Sequence, residues 1–340
     1  MNLNNLVRKT PYPNGRFLYL DALRGIAAMI VVLHHFLFIY NNEFGHQFKA
    51  PQIFEHGYFG VELFFLISGF VIFYTLSKTT SIKDFLLKRA IRLYPTFWIC
   101  LIITFCLITI FPLSPSRNTN IKEALVSLTM FNGLFKIKSV DPSYWTLLVE
   151  WFFYLVMATS MFFFKTKQNA FYYFLWAWLL LILFYNLVHK IPFAGAVFNL
   201  RYGSFFISGI CFYHIYISKQ QVIKYWMLLL FSFIVGIIAL SDLNYVTIAL
   251  TIVYLVFLLT IHFQFKFLSG KVFIFFGEIS YALYLIHQNV GFIIMQKLEH
   301  FGIVSFWKVI ITLAIVIGLA TLITRKLEKP ISVKLKKLLL

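Results

Sequence analysis

The 340 residues are 61% hydrophobic and 20% aromatic, and only 12% are charged. That balance excludes a soluble globular domain of this length and points to a polytopic membrane protein. The formal charge of +18 does not mark a nucleic-acid binder, because the lysines and arginines collect in alternate loops, as the positive-inside rule expects.

The N-terminal stretch MNLNNLVRKTPYPNGR is polar and basic. The apolar run after it lacks a small-residue cleavage site, so it is predicted to stay as a membrane helix rather than leave as a signal peptide. Ten spans are predicted, at about 18–40, 58–76, 94–113, 144–164, 170–188, 202–218, 224–241, 245–262, 279–296 and 306–324. Most of the 30 Lys and Arg fall on the cytoplasmic side if both termini are inside. The expected fold class is therefore an all-α integral membrane bundle of about ten transmembrane helices, N-in/C-in. Residues 1–340 read as a single membrane domain with no internal repeat. Between the second and third spans, residues 80–95 alternate basic and apolar positions at helical spacing. In the 114–143 outer loop, KEALVSLTMF (122–131) has the spacing of a short interfacial helix. Cys100, Cys106 and Cys211 lie in spans and offer neither CxxC spacing nor a disulfide framework.

The first span, LDALRGIAAMIVVLHHF (20–36), carries Asp21, Arg24, His34 and His35. Ionisable groups in a spanning helix are costly and are functional candidates by default. Arg24 and His35 are eleven residues apart. On an α-helix that puts them about 20° from one line, with a rise of about 16 Å. His34 points about 100° away from that stripe. Either histidine is served by a packing role against a neighbouring helix; the stripe shared with Arg24 favours chemistry for His35, which takes and returns a proton near neutral pH. The second span holds Glu62 near its outer end and Ser68–Gly69 near its middle. Those small residues suit close helix packing, and Glu62 suits either packing or an outer cavity.

In FLLKRAIRLYP (85–95), Arg89 and Arg92 share a helical face. They suit topological anchoring, or a clamp on phosphate groups. The fourth span places Glu150 at a depth like that of His35. A carboxylate there, if the helices are neighbours, would orient a histidine and favour its charged form; a structural bond to Trp or Tyr is the other reading. In the ninth span, Tyr284, His287 and Gln288 fall on one face beside Ser280 and Tyr281. That face is expected to point into the bundle, toward a cavity or toward other helices. No HExxH spacing and no Gly-rich phosphate loop is present, so no metal site is expected.

Five stretches in order resemble the membrane-bound acyltransferase-3 family: LDALRGIAAMIVVLHH (20–35) with its Arg-x10-His spacing, GYFGVELFFLISGFVI (57–72), FLLKRAIRLYP (85–95), YWTLLVEWFFYL (144–155) and ISYALYLIHQ (279–288). The resemblance covers most of the chain. It implies an enzyme of the bacterial inner (cytoplasmic) membrane that moves an acyl group, commonly acetyl, from cytosolic acyl-CoA to a hydroxyl of a cell-envelope glycan or lipid-linked saccharide. It implies no permanently bound cofactor, acetyl-CoA being the donor substrate, and membrane lipids as surroundings. Some relatives carry a fused periplasmic esterase-like domain, which is not expected here.

On that reading, His35 is the general base or the acyl carrier, and Glu150 its orienter. Arg24, Arg89 and Arg92 hold the negative nucleotide end of acyl-CoA. Asp21, Glu62, Trp145, Tyr281, Tyr284 and His287 complete the candidate set as supporting or cavity-lining groups, with Trp145 or a tyrosine bonding the carbonyl oxygen. The rival reading is a polytopic saccharide exporter or proton-coupled carrier, since buried His and Glu also suit proton relays.

Overall fold

The computed structural model describes residues 17–79, 81–164, 168–188, 200–217, 222–240 and 243–339. The predicted loops at 165–169, 189–201, 218–224 and 241–244, and the N-terminal stretch, lie wholly or partly outside them. The described residues are helical and contain no strand. In hydrocarbon, a helix satisfies its backbone polar groups within its own segment, which makes it the natural answer to such apolar runs.

The helices are α1 (Leu18–His34), α2 (Tyr40–Phe44), α3 (Gly60–Ser77), α4 (Ile82–Ile110), α5 (Ile121–Ser127), α6 (Trp145–Phe164), α7 (Gln168–Leu187), α8 (Gly203–Ile217), α9 (Val222–Leu240), α10 (Leu243–Phe263), α11 (Lys271–His300), α12 (Trp307–Leu322) and α13 (Lys329–Leu339). Among the described residues, eight helical stretches are long and apolar enough to cross a membrane. The predicted spans at 202–218 and 279–296 correspond to α8 and to the central part of α11. The chain is a multi-pass membrane protein.

Three elements differ from the expectation. Of the basic stretch 80–95, residues 82–95 are not a separate helix but the first half of α4, which continues through Pro95. Proline removes the amide that would bond the carbonyl four residues earlier, that of Ile91. Ser332 Oγ–H donates to that Ile91 carbonyl at 3.4 Å, and Tyr281 O–H donates to the Leu93 carbonyl at 3.1 Å. The freed Ile91 carbonyl is thus served by the Ser332 hydroxyl, as proline in a membrane helix requires. The outer-loop helix spans Ile121–Ser127 rather than 122–131, because a capping box sets its start. Asn120 Oδ1 accepts from the Glu123 amide, and Glu123 Oε2 accepts from the Asn120 amide, both at 2.9 Å. Lastly, α1 is regular to His34 and then runs through a π turn, His35–Ile39, before α2.

The helices group into two compact units. One comprises Met1–Arg24, Val61–Leu86 and Val149–Ile274; the other comprises Gly25–Gly60, Leu87–Leu148 and Phe275–Leu340. In the first, α3 and α8 cross backbone to backbone. A Cβ on Gly69 would lie 2.1 Å from the Phe206 carbonyl oxygen, and one on Gly209 would lie 2.1 Å from that of Leu66. Small residues permit this approach where lipid supplies no hydrophobic drive between helices. Hydroxyls add polar ties among α8, α9 and α10: Ser208 meets Ser232 and Tyr254 at 2.6 Å each, and Ser232 donates to the Ser204 carbonyl at 2.7 Å. In the second unit, α1 and α11 meet in the same way, since a Cβ on Gly25 would fall 2.6 Å from the Gly277 amide.

Gly69→Val and Gly209→Val are each expected to cost at least about 1–3 kcal/mol by overpacking. Gly318→Ala, where an added Cβ meets nothing within 4 Å, is expected to be neutral or slightly stabilising. Thermal unfolding in detergent checks all three; equal midpoints for the valine and alanine variants would contradict the close crossing.

Candidate active site

The two histidines in sequence separate by partner. His34 is buried, and its Nδ1–H donates to the Phe54 carbonyl at 2.9 Å, so it pins the loop that leads into α3. His35 opens the π turn and is only partly buried. Its Nδ1 lies 2.8 Å from the Val31 carbonyl oxygen, one turn back. A carbonyl only accepts, so Nδ1 carries the hydrogen and Nε2 carries the lone pair. Such π turns recur at functional sites.

His287 comes from α11 in the same unit and is fully buried. Its Nε2 is 3.3 Å from His35 Nδ1, with the rings 4.8 Å apart and edge-on. Its Nδ1–H donates to the Tyr284 carbonyl at 2.7 Å. Tyr284 O–H in turn donates to the Ser143 carbonyl at 3.1 Å, and Thr146 Oγ1–H donates to the Tyr284 oxygen at 3.1 Å. The polar face predicted for the ninth span thus turns into its own unit.

Two residues beyond His287, Asn289 joins several segments. Its backbone amide donates to Asp141 Oδ2 at 2.9 Å and its side-chain amide to the Val140 carbonyl at 2.9 Å. Its Oδ1 accepts from Arg117 Nη1 at 2.6 Å. Arg117 Nε donates to Glu43 Oε2 at 2.6 Å, and its remaining nitrogen pairs with Glu43 Oε1. Asp141, with no exposed surface, also accepts from the Ser143 amide at 2.9 Å and the Ser143 hydroxyl at 2.6 Å. Sequence reasoning missed Glu43, Arg117, Asp141 and Asn289. The Asp141–Pro142 pair is a local signal for a helix start, but it says nothing of the distant partner at Asn289.

The remaining candidates have other surroundings. Glu150, in the first unit, is half-buried; its Oε1 accepts from Ser68 Oγ at 2.9 Å and from the Tyr154 hydroxyl. Glu62 is buried there as well, with the Arg201 charge acting on it and one carboxylate oxygen lacking a hydrogen-bond partner among the described residues. Asp21 and Arg24 pair at 3.4 Å. In the second unit, Arg89 is buried and Arg92 exposed, and the Arg92 charge acts on Glu328. Trp145, the first residue of α6, is largely exposed, and Tyr281 is held by the Leu93 carbonyl. Among the described residues, no group of three or more His, Cys, Asp or Glu is placed to hold a metal ion.

The model of the acyltransferase-3 family, described as an acyltransferase domain, matches residues 17–325. The chain belongs to this family. It is 25% identical over 280 residues to ORF330 of Acidianus two-tailed virus, a protein named as an acetyltransferase, covering 78% of this chain and 80% of that one. It is also 34% identical over 98 residues to "Protein 2 in picA locus" of Rhizobium radiobacter, covering 26% of this chain and 44% of that protein. No solved structure matches. The chain is thus a membrane acyltransferase, and its Arg24, His35, Arg89, Arg92, Glu150 and His287 all lie inside the matched region.

The wall beside the π turn gives this acyltransferase an acid-sensitive contact. His46 Nε2–H donates to the Phe36 carbonyl at 2.9 Å, and its ring stacks on Tyr40 and Phe48 at 5.1 and 4.4 Å. Burial first, and then the Lys308 charge, hold this imidazole below the ordinary histidine value of 6.5. The unfolded chain takes up a proton as pH falls through 6.5 while folded His46 still refuses one. The stability His46 contributes is therefore whole above that pH and is lost as pH falls from there to the folded value. Between about pH 7.5 and about pH 5.5, the thermal midpoint in detergent is expected to fall more steeply for the wild type than for His46→Gln; parallel slopes would contradict the assignment.

Proposed function

We propose that the protein transfers an acyl group, acetyl in the first instance, from cytosolic acyl-CoA to a hydroxyl of a cell-envelope glycan or lipid-linked saccharide, and that it works in the bacterial inner membrane. The single observation that carries the chemistry is the His35 Nδ1–Val31 bond of 2.8 Å, which leaves Nε2 as a fixed lone pair on a residue that is only partly buried. Family membership supports an acyl-transfer reaction rather than a carrier. The acetyltransferase name of the viral relative supports acetyl as the group moved.

In the proposed step, His35 Nε2 takes the proton of the acceptor hydroxyl as its oxygen attacks the thioester carbonyl carbon. The C–O bond of the new ester forms, the C–S bond breaks, and the leaving thiolate takes the proton back from His35. The products are the ester and free CoA, so no oxidant or metal is required. Arg89 and Arg92, at the basic end of α4, grip the phosphates of the donor, for which guanidinium geometry is suited. Arg24, paired with Asp21, is a third candidate for the nucleotide end.

Purified protein with acetyl-CoA and envelope saccharides is expected to lose about 10²-fold or more in kcat on His35→Ala. A rate near wild type in a folded variant would remove His35 from the mechanism. The double variant Arg89→Gln, Arg92→Gln is expected to raise KM for acetyl-CoA about tenfold or more, since bonds to charged groups are worth roughly 1.5–3 kcal/mol each. An unchanged KM would make those arginines topological anchors.

A further inference from the structure

We infer that His287 is the positioning partner of His35, accepting from the Nδ1–H of the imidazolium formed when His35 Nε2 takes up its proton, with the buried Asp141 carboxylate as their fixed countercharge. This rests on the base reading of His35. His287 does not touch substrate, since its ring is fully buried; it acts through His35.

The argument begins with the hydrogens. His287 Nδ1 faces the Tyr284 carbonyl at 2.7 Å, and His35 Nδ1 faces the Val31 carbonyl at 2.8 Å. Each of those nitrogens must carry a hydrogen, because a carbonyl only accepts. In the neutral state this leaves His287 Nε2 unprotonated, and it lies 3.3 Å from His35 Nδ1–H. The single Nδ1 hydrogen of His35 is therefore shared, the shorter arm going to the Val31 carbonyl and the longer one to the His287 lone pair, with the direction set by two backbone carbonyls. When His35 Nε2 takes a proton, its Nδ1–H becomes a charged donor, and a charge-assisted bond to His287 is roughly twice as strong as a neutral one. The partner thus stabilises the charged state that appears during the reaction more than the resting one, which is the condition for acceleration.

A cation on these rings needs an opposite charge, because unpaired charge inside a membrane protein is costly. Asp141 is the buried carboxylate of this neighbourhood, and it is anchored to the backbone amide of Asn289, two residues beyond His287. Its charge acts on His287. Arg117 in the same network pairs with Glu43, and its charge also acts on His35, which adds to the need for a carboxylate beside the histidines. Among the described residues, the three Asp141 bonds come from neutral donors: the Asn289 amide, the Ser143 amide and the Ser143 hydroxyl. They hold the carboxylate in place without cancelling its charge.

The experiment compares His287→Leu, which has no acceptor, with His287→Gln, whose carbonyl can accept from His35 Nδ1–H but cannot take a proton. Both are measured as purified full-length protein beside the wild type and His35→Ala, for kcat, for KM toward acetyl-CoA and for thermal midpoint. His287→Leu is expected to lower kcat about 10²-fold with KM unchanged, and His287→Gln to recover about tenfold of that loss. A packing role predicts instead that activity follows the thermal midpoint in both variants. Equal kcat in the Leu and Gln variants, or a wild-type kcat in His287→Leu while His35→Ala is inactive, overturns the partnership and leaves the base reading intact. A wild-type kcat in His35→Ala overturns the base reading itself. Should His287→Leu fail to fold, His287→Gln decides with His287→Met as the acceptor-free comparison: a Gln variant no faster than the Met variant overturns the partnership.

Discussion

The second unit is keyed to Asn289. Its side chain takes a hydrogen from Arg117 and gives one to the Val140 carbonyl, and its backbone amide reaches Asp141. One residue therefore ties α11 to the long outer loop, to the start of α6 and, through Arg117 and Glu43, to α2. Buried polar groups need partners when water is excluded, and around Asn289 that demand is met by a single connected network. A network of this kind is rigid when complete and costly when broken. That rigidity holds the α11 backbone at His287, and with it the geometry around His35.

The same constraint explains the irregular backbone. Pro95 frees the Ile91 carbonyl inside α4, and the Ser332 hydroxyl serves it. The π turn that begins at His35 presents the Phe36 carbonyl to His46. These two departures from ideal helix occur where residues proposed for chemistry stand: the arginine pair at Pro95, the histidine at the first π turn. The glycine crossings do the complementary work. With no hydrophobic drive between helices in lipid, backbone contact at Gly69, Gly209 and Gly25 supplies the packing.

Much of this was legible in the residues. The apolar runs and the basic loops state the membrane class, because hydropathy over a window of about twenty residues is a local quantity. The Arg24–His35 stripe follows from helix period alone, and α1 is regular through His34. The start of α5 was readable in hindsight from Asn120 and Glu123, a capping box that outweighed the apolar spacing. The continuity of α4 was not, because proline ordinarily argues for a break, and only partners from distant helices make it tolerable.

The sequence by itself determined that this chain is a helical membrane protein carrying a histidine and phosphate-suited arginines, since charge, period and apolarity act within a few turns. Only the tertiary structure decided what surrounds each group. His35 meets His287 across 252 positions of chain, Asn289 meets Arg117 across 172 and Asp141 across 148. Glu150, which its depth had suggested as the orienter, bonds Ser68 and Tyr154. Depth along a helix is written in residue number, but which faces meet is set by how helices pack, and that depends on glycines, hydroxyls and buried charges acting together.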